Sequence, residues 1–382
     1  MQTETRGTLL DDAHFDGVVH QLVNYHSDEG VLTVYLDIDP ATAGREGYEA
    51  ALMDLWKPLQ AQPYDDWTRG RLEYEIAGVS DEVRGWQQAP GRAVAMFFSG
   101  PGGLRTVIPL RFPMHATARF GPRPLLSPLI AALDEHRRYC VLMFDKDHAR
   151  IITVVLGAVE EEVTLHGDVI GRSAVGGWAQ ASYARHREHH LHEHARRTVE
   201  HLWAIDRSRP IHSLVLAGPV EALAVLKRML PAALARSVVA TMPMEMFAVL
   251  ADIVKRVESI DADAREKKDR DLVAELVTDA EKGNHAVFGW DETLQATGEG
   301  RIHMLLVPEG ATRPGVQCPE GHYLATADVK FCPLCGEALW HTDDITESAV
   351  RTTMAADAQV HFLAPKASEA LAGRGIAAFL RY

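Results

Sequence analysis

Long apolar runs are missing from this 382-residue chain. No stretch approaches the roughly 20 apolar residues that a helix needs to cross a bilayer, so a helical membrane protein is excluded. The opening residues, MQTETRGTLLDDAHFD, are polar and acidic and hold no apolar core of a secretory leader. The expectation is a cytoplasmic protein. Positive charge is in deficit, with 39 Lys and Arg against 53 Asp and Glu and a net charge of −14. That balance argues against non-specific nucleic-acid binding by the whole surface, though not against a local basic site. Cysteine is scarce, four in all. Cys140, in RRYCVLMF, reads as a buried strand residue. The other three cluster, and in a cytoplasmic chain such a cluster favours a metal over a disulfide. Internal repeats and low-complexity tracts are absent, which removes repeat architectures. No acidic motif stands out: Asp11 with Asp12 and Asp65 with Asp66 read as solvated faces rather than a metal site.

The length favours two or three domains, each able to bury its own core. Residues 1–134 read as an N-terminal α/β domain of no evident role. Strands are expected in VLTVYLDI, RAVAMFFSG and TVIPLRF, and amphipathic helices in GYEAALMDLWKPLQ and WTRGRLEYEIAGVSDEVRGW. Pro-rich FGPRPLLSPL reads as a linker into a short helix. Residues 135–265 form a second α/β domain. YCVLMF, ARIITVVLG and EEVTLHG, the first two joined by DKDH, predict an antiparallel meander. SLVLAG, GPVEALAVLKRML and SVVATMPM follow as strand, helix and strand, which makes the sheet mixed. Next comes a long helix or two, with DADAREKKDRD as the expected hinge. Residues 266–382 form the third domain, with helices in ETLQATGEG and ITESAVRTTMAADA. Its strands are expected in IHMLLVPEG, QVHFLA and GIAAFLRY, and an insertion occupies residues 315–340.

One stretch, residues 171–209, organises the rest. It opens as a loop with Gly171, Gly176 and Gly177 and carries one amide, Gln180. From about residue 182 it reads as a long helix with a narrow apolar stripe of Tyr183, Leu191, Leu202 and Ile205. Residues 183–209 hold six Arg, no Lys, three Glu, one Asp and six His. Two adjacent glycines let backbone N–H groups approach a substrate closely. An amide can hold a water against an electrophile but cannot act as a general base at neutral pH. Any chemistry here is therefore water positioning and oxyanion stabilisation. The alternative is an ordinary flexible loop, since Gly102 and Gly103 form the same pair elsewhere.

The insertion GVQCPEGHYLATADVKFCPLCGEALW carries the cysteine cluster. Cys332-Pro-Leu-Cys335-Gly336 has the form of a zinc knuckle: two residues between thiolates let both face one ion, and the glycine allows the tight turn. In the first half, Gly321 stands where a second thiol would sit and His322 follows it. Cys318, His322, Cys332 and Cys335 are the candidate ligands of a structural zinc, whose closed four-ligand site leaves no position for water. The alternative is a ribbon held by packing alone. No organic cofactor is expected.

A meander, a Gly-Gly/Gln loop and an Arg-rich helix, in that order, resemble the middle domain of archaeal and eukaryotic class I peptide chain release factors. GWDETLQATGEGRIHMLLVPEG, the Cys-containing insertion and GRGIAAFLRY resemble their C-terminal domain. The likeness is strongest to the bacterial and Vms-like branch, whose members carry the loop as Gly-Gly-Trp-x-Gln followed by Tyr and Arg. The resemblance implies an RNase-H-like middle domain and a C-terminal α/β domain with a zinc-ribbon-like insertion. It implies Gly176, Gly177 and Gln180 as catalytic residues in hydrolysis of the peptidyl-tRNA ester on the ribosome. Two departures matter. Trp178 and Ala179 separate the glycines from the glutamine, which release factors proper carry without a gap. Residues 1–134 lack the Asn-Ile-Lys-Ser string that reads stop codons, so rescue of stalled ribosomes is expected rather than codon-specific termination. The expected partners are the ribosome and peptidyl-tRNA, with no membrane and no DNA. A non-catalytic ribosome- or tRNA-binding factor, and cleavage of the tRNA 3′ end, stay open.

The helix is expected to face RNA. Arg172, Trp178, Tyr183, Arg185, Arg187, Arg196 and Arg197 are the candidate contacts, Arg as permanent charge on phosphate, with His adding stacking and hydrogen bonds. His186, His190 and His194 lie four apart on one helical face, and His190-Leu-His-Glu-His194 matches the H-x-x-E-H pattern of zinc proteases. Five His within nine residues make a chance match easy, so a metal on this helix is the lesser reading.

Overall fold

The computed structural model describes residues 3–6, 12–38, 45–155, 158–167, 179–371 and 373–382. They divide into two compact units, one made of residues 1–135 together with 269–382, the other of 136–268.

In the first unit, the N-terminal part places β1 (Thr3–Arg6), β2 (Val31–Asp37), β3 (Ala93–Ser99), β4 (Leu104–Leu110) and β5 (Thr117–Gly121) in one sheet, ordered β1-β4-β3-β2-β5. β2 to β5 pair antiparallel and β1 joins β4 in parallel. The helices are α1 (Asp12–Val23), α2 (Arg45–Gln60), α3 (Asp66–Arg84) and α4 (Ser127–Glu135). Leu32, Val34, Leu36, Val94, Met96 and Phe98 point from one sheet face into a core with Leu52 and Trp56 of α2 and Leu72, Val79 and Val83 of α3. The opposite face is covered too, and so VLTVYL and AVAMFF are apolar at almost every position rather than at alternate ones. Asp65 is solvent-exposed, as expected, and also caps α3, accepting from the Thr68 N–H at 2.7 Å.

The second unit is built on β6 (Tyr139–Phe144), β7 (His148–Val155), β8 (Ala158–His166), β9 (Ser213–Ala217) and β10 (Val238–Met242), ordered β10-β9-β6-β7-β8. β6, β7 and β8 form the antiparallel meander, while β9 runs parallel to both β6 and β10. Period-two alternation divides β6 between two cores. Cys140, Leu142 and Phe144 pack with Ala195, Val199 and Leu202 of α5 (Ala179–Ser208) and Leu223 and Leu226 of α6 (Val220–Met229). Tyr139, Val141 and Met143 pack with Met242, Met246, Ile253 and Val257. Burial pushes the Cys140 thiol up to about 12, an inert core position. A short α7 (Ala232–Ser237) precedes β10.

α8 (Leu250–Glu281) is unbroken. The hinge expected at residues 261–271 is absent. That stretch contains no Gly or Pro, and its Ala, Glu, Lys and Arg are good helix formers, so alternating charge continues the helix instead of ending it.

The remainder of the first unit is a sheet ordered β11-β17-β12-β16, from β11 (Ala286–Phe288), β12 (Ile302–Val307), β16 (Gln359–Phe362) and β17 (Ala377–Leu380). α9 (Trp290–Gly298) and α10 (Ile345–Ala355) cover one face, and α11 (Pro365–Ser368) with Val273 and Leu276 of α8 the other. β13 (Gly315–Gln317), β14 (Leu324–Ala325) and β15 (Trp340–Thr342) make a separate three-stranded ribbon. Within this unit a buried pair ties the two ends of the sequence together. Glu347 of α10 accepts from the N–H groups of Leu126 and Ser127 at 2.8 and 2.9 Å, capping α4 from another helix. Arg351, one turn on, donates to the Val23 carbonyl at 2.9 Å, where α1 ends, and to Pro124. Each charge meets the helix end of opposite partial charge.

Candidate functional site

Gln180 is the second residue of α5. The helix therefore begins earlier than the apolar period predicted, and the candidate glutamine sits in its first turn. First-turn N–H groups have no partner within a helix. Gly171, Arg172, Gly176, Gly177 and Trp178 lie outside the described residues, as do the side chains of Gln180, Tyr183, Arg185, His186 and Arg187.

From His189 onward the helix shows which face is committed. Ala195, Val199 and Leu202 are buried, with Leu191, Trp203 and Ile205 partly so. His194 joins them at 1 % exposure, its ring stacked on Phe144 with centroids 5.0 Å apart and planes 21° from parallel. Burial lowers its pKa, a hydrogen bond to the His148 backbone opposing, and Nε2 has no partner among the described residues. His194 thus faces the core and cannot stack on RNA, and the H-x-x-E-H match loses one of its two imidazoles to packing. The signal is present in the sequence: His194, Thr198 and Leu202 follow at helical spacing in the same stripe as the apolar residues.

The Arg residues are less free than a cationic rod requires. Arg196 donates to Glu200 at 2.6 Å and Glu193 at 2.9 Å, both within the helix. Arg209, just past its end, pairs with Glu160 of β8, which also holds Arg138 at 2.8 Å. Exposed pairs such as those of Arg196 stabilise little. They do mean that a phosphate would have to compete for Arg196.

The cysteine cluster is the best-defined constellation. One ligand atom each from Cys318, His322, Cys332 and Cys335 lie within 4.8 Å of one another. The sulfurs of Cys318 and Cys335 are 3.5 Å apart, too far for a disulfide and close to the separation of about 3.8 Å that two thiolates at about 2.3 Å from one tetrahedral ion would have. The two halves share a backbone pattern. Cys318 N–H donates to Tyr323 O at 2.8 Å, and Cys332 N–H donates to Glu337 O at 2.8 Å. Each turn contains a glycine in the left-handed region, Gly321 at φ 80° and Gly336 at φ 79°. In the second half the thiol precedes the glycine; in the first the glycine comes first and His322 follows. The longer imidazole reaches the cluster from one position further on.

Burial pushes the Cys332 thiol up, but backbone N–H groups of Cys335 and Leu334 and the adjacent sulfurs outweigh it and hold the thiol below its ordinary value. At Cys335 the Glu337 backbone acts to lower the pKa, yet desolvation and the two neighbouring sulfurs drive it to about 11. Three sulfurs this close cannot all ionise without a cation between them. The Cys3His donor set can bind a metal.

Residues 124–262 match the family model described as bacterial archaeo-eukaryotic release factor family 10. That segment is similar to the archaeo-eukaryotic release factors. No curated protein matches the chain. Among solved structures, Archaeoglobus fulgidus Pelota is similar at 17 % identity over 76 % of this chain and 79 % of that one, with a TM-score of 0.33. Ribosome-bound archaeal Pelota is similar at 12 % identity over 96 % and 94 %, with a TM-score of 0.42. Saccharomyces cerevisiae Dom34, a translation termination-like factor, is similar at 12 % identity over 65 % of each chain, with a TM-score of 0.39. At these TM-scores the likenesses carry no argument.

Proposed function

We propose that this protein is a ribosome-associated release or rescue factor that promotes hydrolysis of the peptidyl-tRNA ester on stalled ribosomes without reading a stop codon. The observation that carries this reading is the family match over residues 124–262, which spans both the glycine loop and the helix bearing Gln180. Within that segment the strand order, with the meander's first strand central and two parallel strands beside it, supports the RNase-H-like domain that the resemblance implies.

The chemistry asked of the site is modest. The Gln180 amide would accept from and donate to one water and hold it against the ester carbonyl. Glycine N–H groups, and those left free in the first turn of α5, would face the oxyanion, with the positive end of the helix dipole behind them. The ribosome would orient the ester, and the Arg residues of the loop and helix would hold the tRNA backbone. The Cys3His cluster would hold a structural zinc in the ribbon.

Incubating purified protein with stalled ribosome–nascent-chain complexes tests the reading. Released peptide with intact tRNA supports it. A shortened tRNA 3′ end would move the reaction to a phosphodiester, and binding without either product would leave a non-catalytic factor.

A further inference from the structure

We propose that the cleft at the carboxyl ends of β9 and β10 docks a basic amphipathic segment of a protein partner. The inference goes beyond peptide release and does not depend on the glycine loop. Gly218 closes β9 at φ 144°, and a Cβ there would lie 2.1 Å from the Phe144 carbonyl oxygen. The chain thus passes tightly over β6 and turns at once into α6. Beside it opens a cleft of about 590 Å³ whose walls include Pro219, Pro243, Met244 and Ala248.

Large apolar side chains stand exposed next in the chain to these walls, Val220 after Pro219, and Phe247 and Val249 on either side of Ala248. Val220, the first residue of α6, is 78 % exposed, Phe247 78 % and Val249 64 %. Loose loops expose apolar groups at little consequence, but this loop is fixed. Arg150 donates through Nη1 to the carbonyls of Met246 and Ala248 at 2.9 and 3.1 Å, and its Nε and Nη2 grip Glu162 at 2.9 and 2.7 Å. Met246 is anchored in the core below. A backbone held on both sides of Phe247, with the His148 ring edge-on to it at 5.4 Å, fixes that ring while leaving it largely exposed. A rigid apolar surface rimmed by charge is the signature of an interaction site.

Charge selects the occupant. Glu245 and Asp252 line the cleft and Glu221 flanks Val220, against Arg256 in the lining, while Arg150 behind the loop is paired with Glu162. An acidic rim repels phosphate, which disfavours RNA. A second copy meeting this face about a two-fold axis would set like charges opposite one another. An amphipathic helix with Leu-like anchors and flanking Lys or Arg satisfies both the floor and the rim.

Fluorescence anisotropy of labelled probes with the full chain tests this. The probes are a Leu/Lys helical peptide of about four turns, its Leu/Glu counterpart and oligouridine. The Leu/Lys peptide is expected to bind at least about tenfold more tightly than the Leu/Glu peptide. Phe247→Ser with Val249→Ser should weaken it about tenfold with an unchanged circular dichroism spectrum. Glu245→Lys with Asp252→Lys should reverse the preference between the peptides. The proposal is overturned by absent Leu/Lys binding, by equal binding of both peptides, or by affinity indifferent to these variants. Oligouridine competing at the site, or a dimer that the Phe247 and Val249 variant dissolves, would overturn it as well.

Discussion

His361 is a largely buried side chain whose charge state bears on the fold. Its Nδ1 lies 2.6 Å from Asp134 and its Nε2 2.8 Å from Asp269. The same carboxylates accept from the N–H groups of Phe362 and Ala364, so α4, α8 and β16 meet at one imidazole. Burial alone would push its pKa down, but the two carboxylates outweigh burial and raise it to about 9. A folded-state pKa above the unfolded value of about 6.5 means that the protonated ring stabilises the fold fully below about pH 6.5, and that this contribution fades as pH rises through about 9. The difference of about 2.5 units corresponds to about 3 kcal/mol. We expect His361→Gln to be less stable than the parent chain near pH 6 by about that amount, and the gap to close by about pH 10. Urea denaturation of both proteins across that range measures it, and a gap indifferent to pH would contradict the protonated bridge. None of this is legible in the sequence. QVHFLA reads as a strand, but nothing local signals that the histidine lies between two carboxylates that flank the inserted unit in the chain.

The elements most legible in the sequence are those with clean periodicity: the meander, α6, β9 and the strands and helices of the last third. Apart from the 12-residue α1, the elements that escape a sequence reading are short or placed at edges. β5, β11 and α7 span three to six residues and are fixed by pairing rather than propensity. In α8 the density of charge suggests a break, whereas the absence of Gly and Pro is the better guide. The clustering of Cys318, His322, Cys332 and Cys335 is legible, because metal-ligand spacing is a local property. If it holds zinc, the purified chain should contain about one zinc ion, and Cys332→Ser with Cys335→Ser should remove it. Hydrogen exchange should then rise across residues 315–342 without global unfolding, since β12, β16 and β17 have their own core. Elemental analysis finding no zinc in chelator-free protein would reject the site. For α5, replacing Arg185, Arg187, Arg196 and Arg197 together should weaken RNA binding. Its dependence on salt should flatten by about 0.7 to 0.9 for each phosphate no longer neutralised. Arg196, already paired twice, should contribute least when replaced singly. Filter binding across a salt series checks both statements, and an unaltered slope would turn the helix away from RNA.

Residues 1–135 and 269–382 form one unit, although the sequence between them folds separately. No periodicity or composition shift announces this, because the joining hydrogen bonds link residues more than 200 positions apart. Glu347 and Arg351 are both about 5 % exposed, and breaking such a pair leaves one buried charge uncompensated. Arg351→Met is therefore expected to cost about 3–5 kcal/mol, read as a lower denaturation midpoint of this unit. A midpoint unchanged by the substitution would show that packing alone joins the two ends. The family match lies almost wholly in the other unit, which also carries Gln180 and α5. The most direct test is single-turnover peptide release from stalled ribosome–nascent-chain complexes by the parent chain and by Gln180→Ala. Release by the parent, a fall of order 10²-fold in the variant, and equal ribosome binding by the two are expected. Release by Gln180→Ala at the parental rate would contradict the role given to the amide.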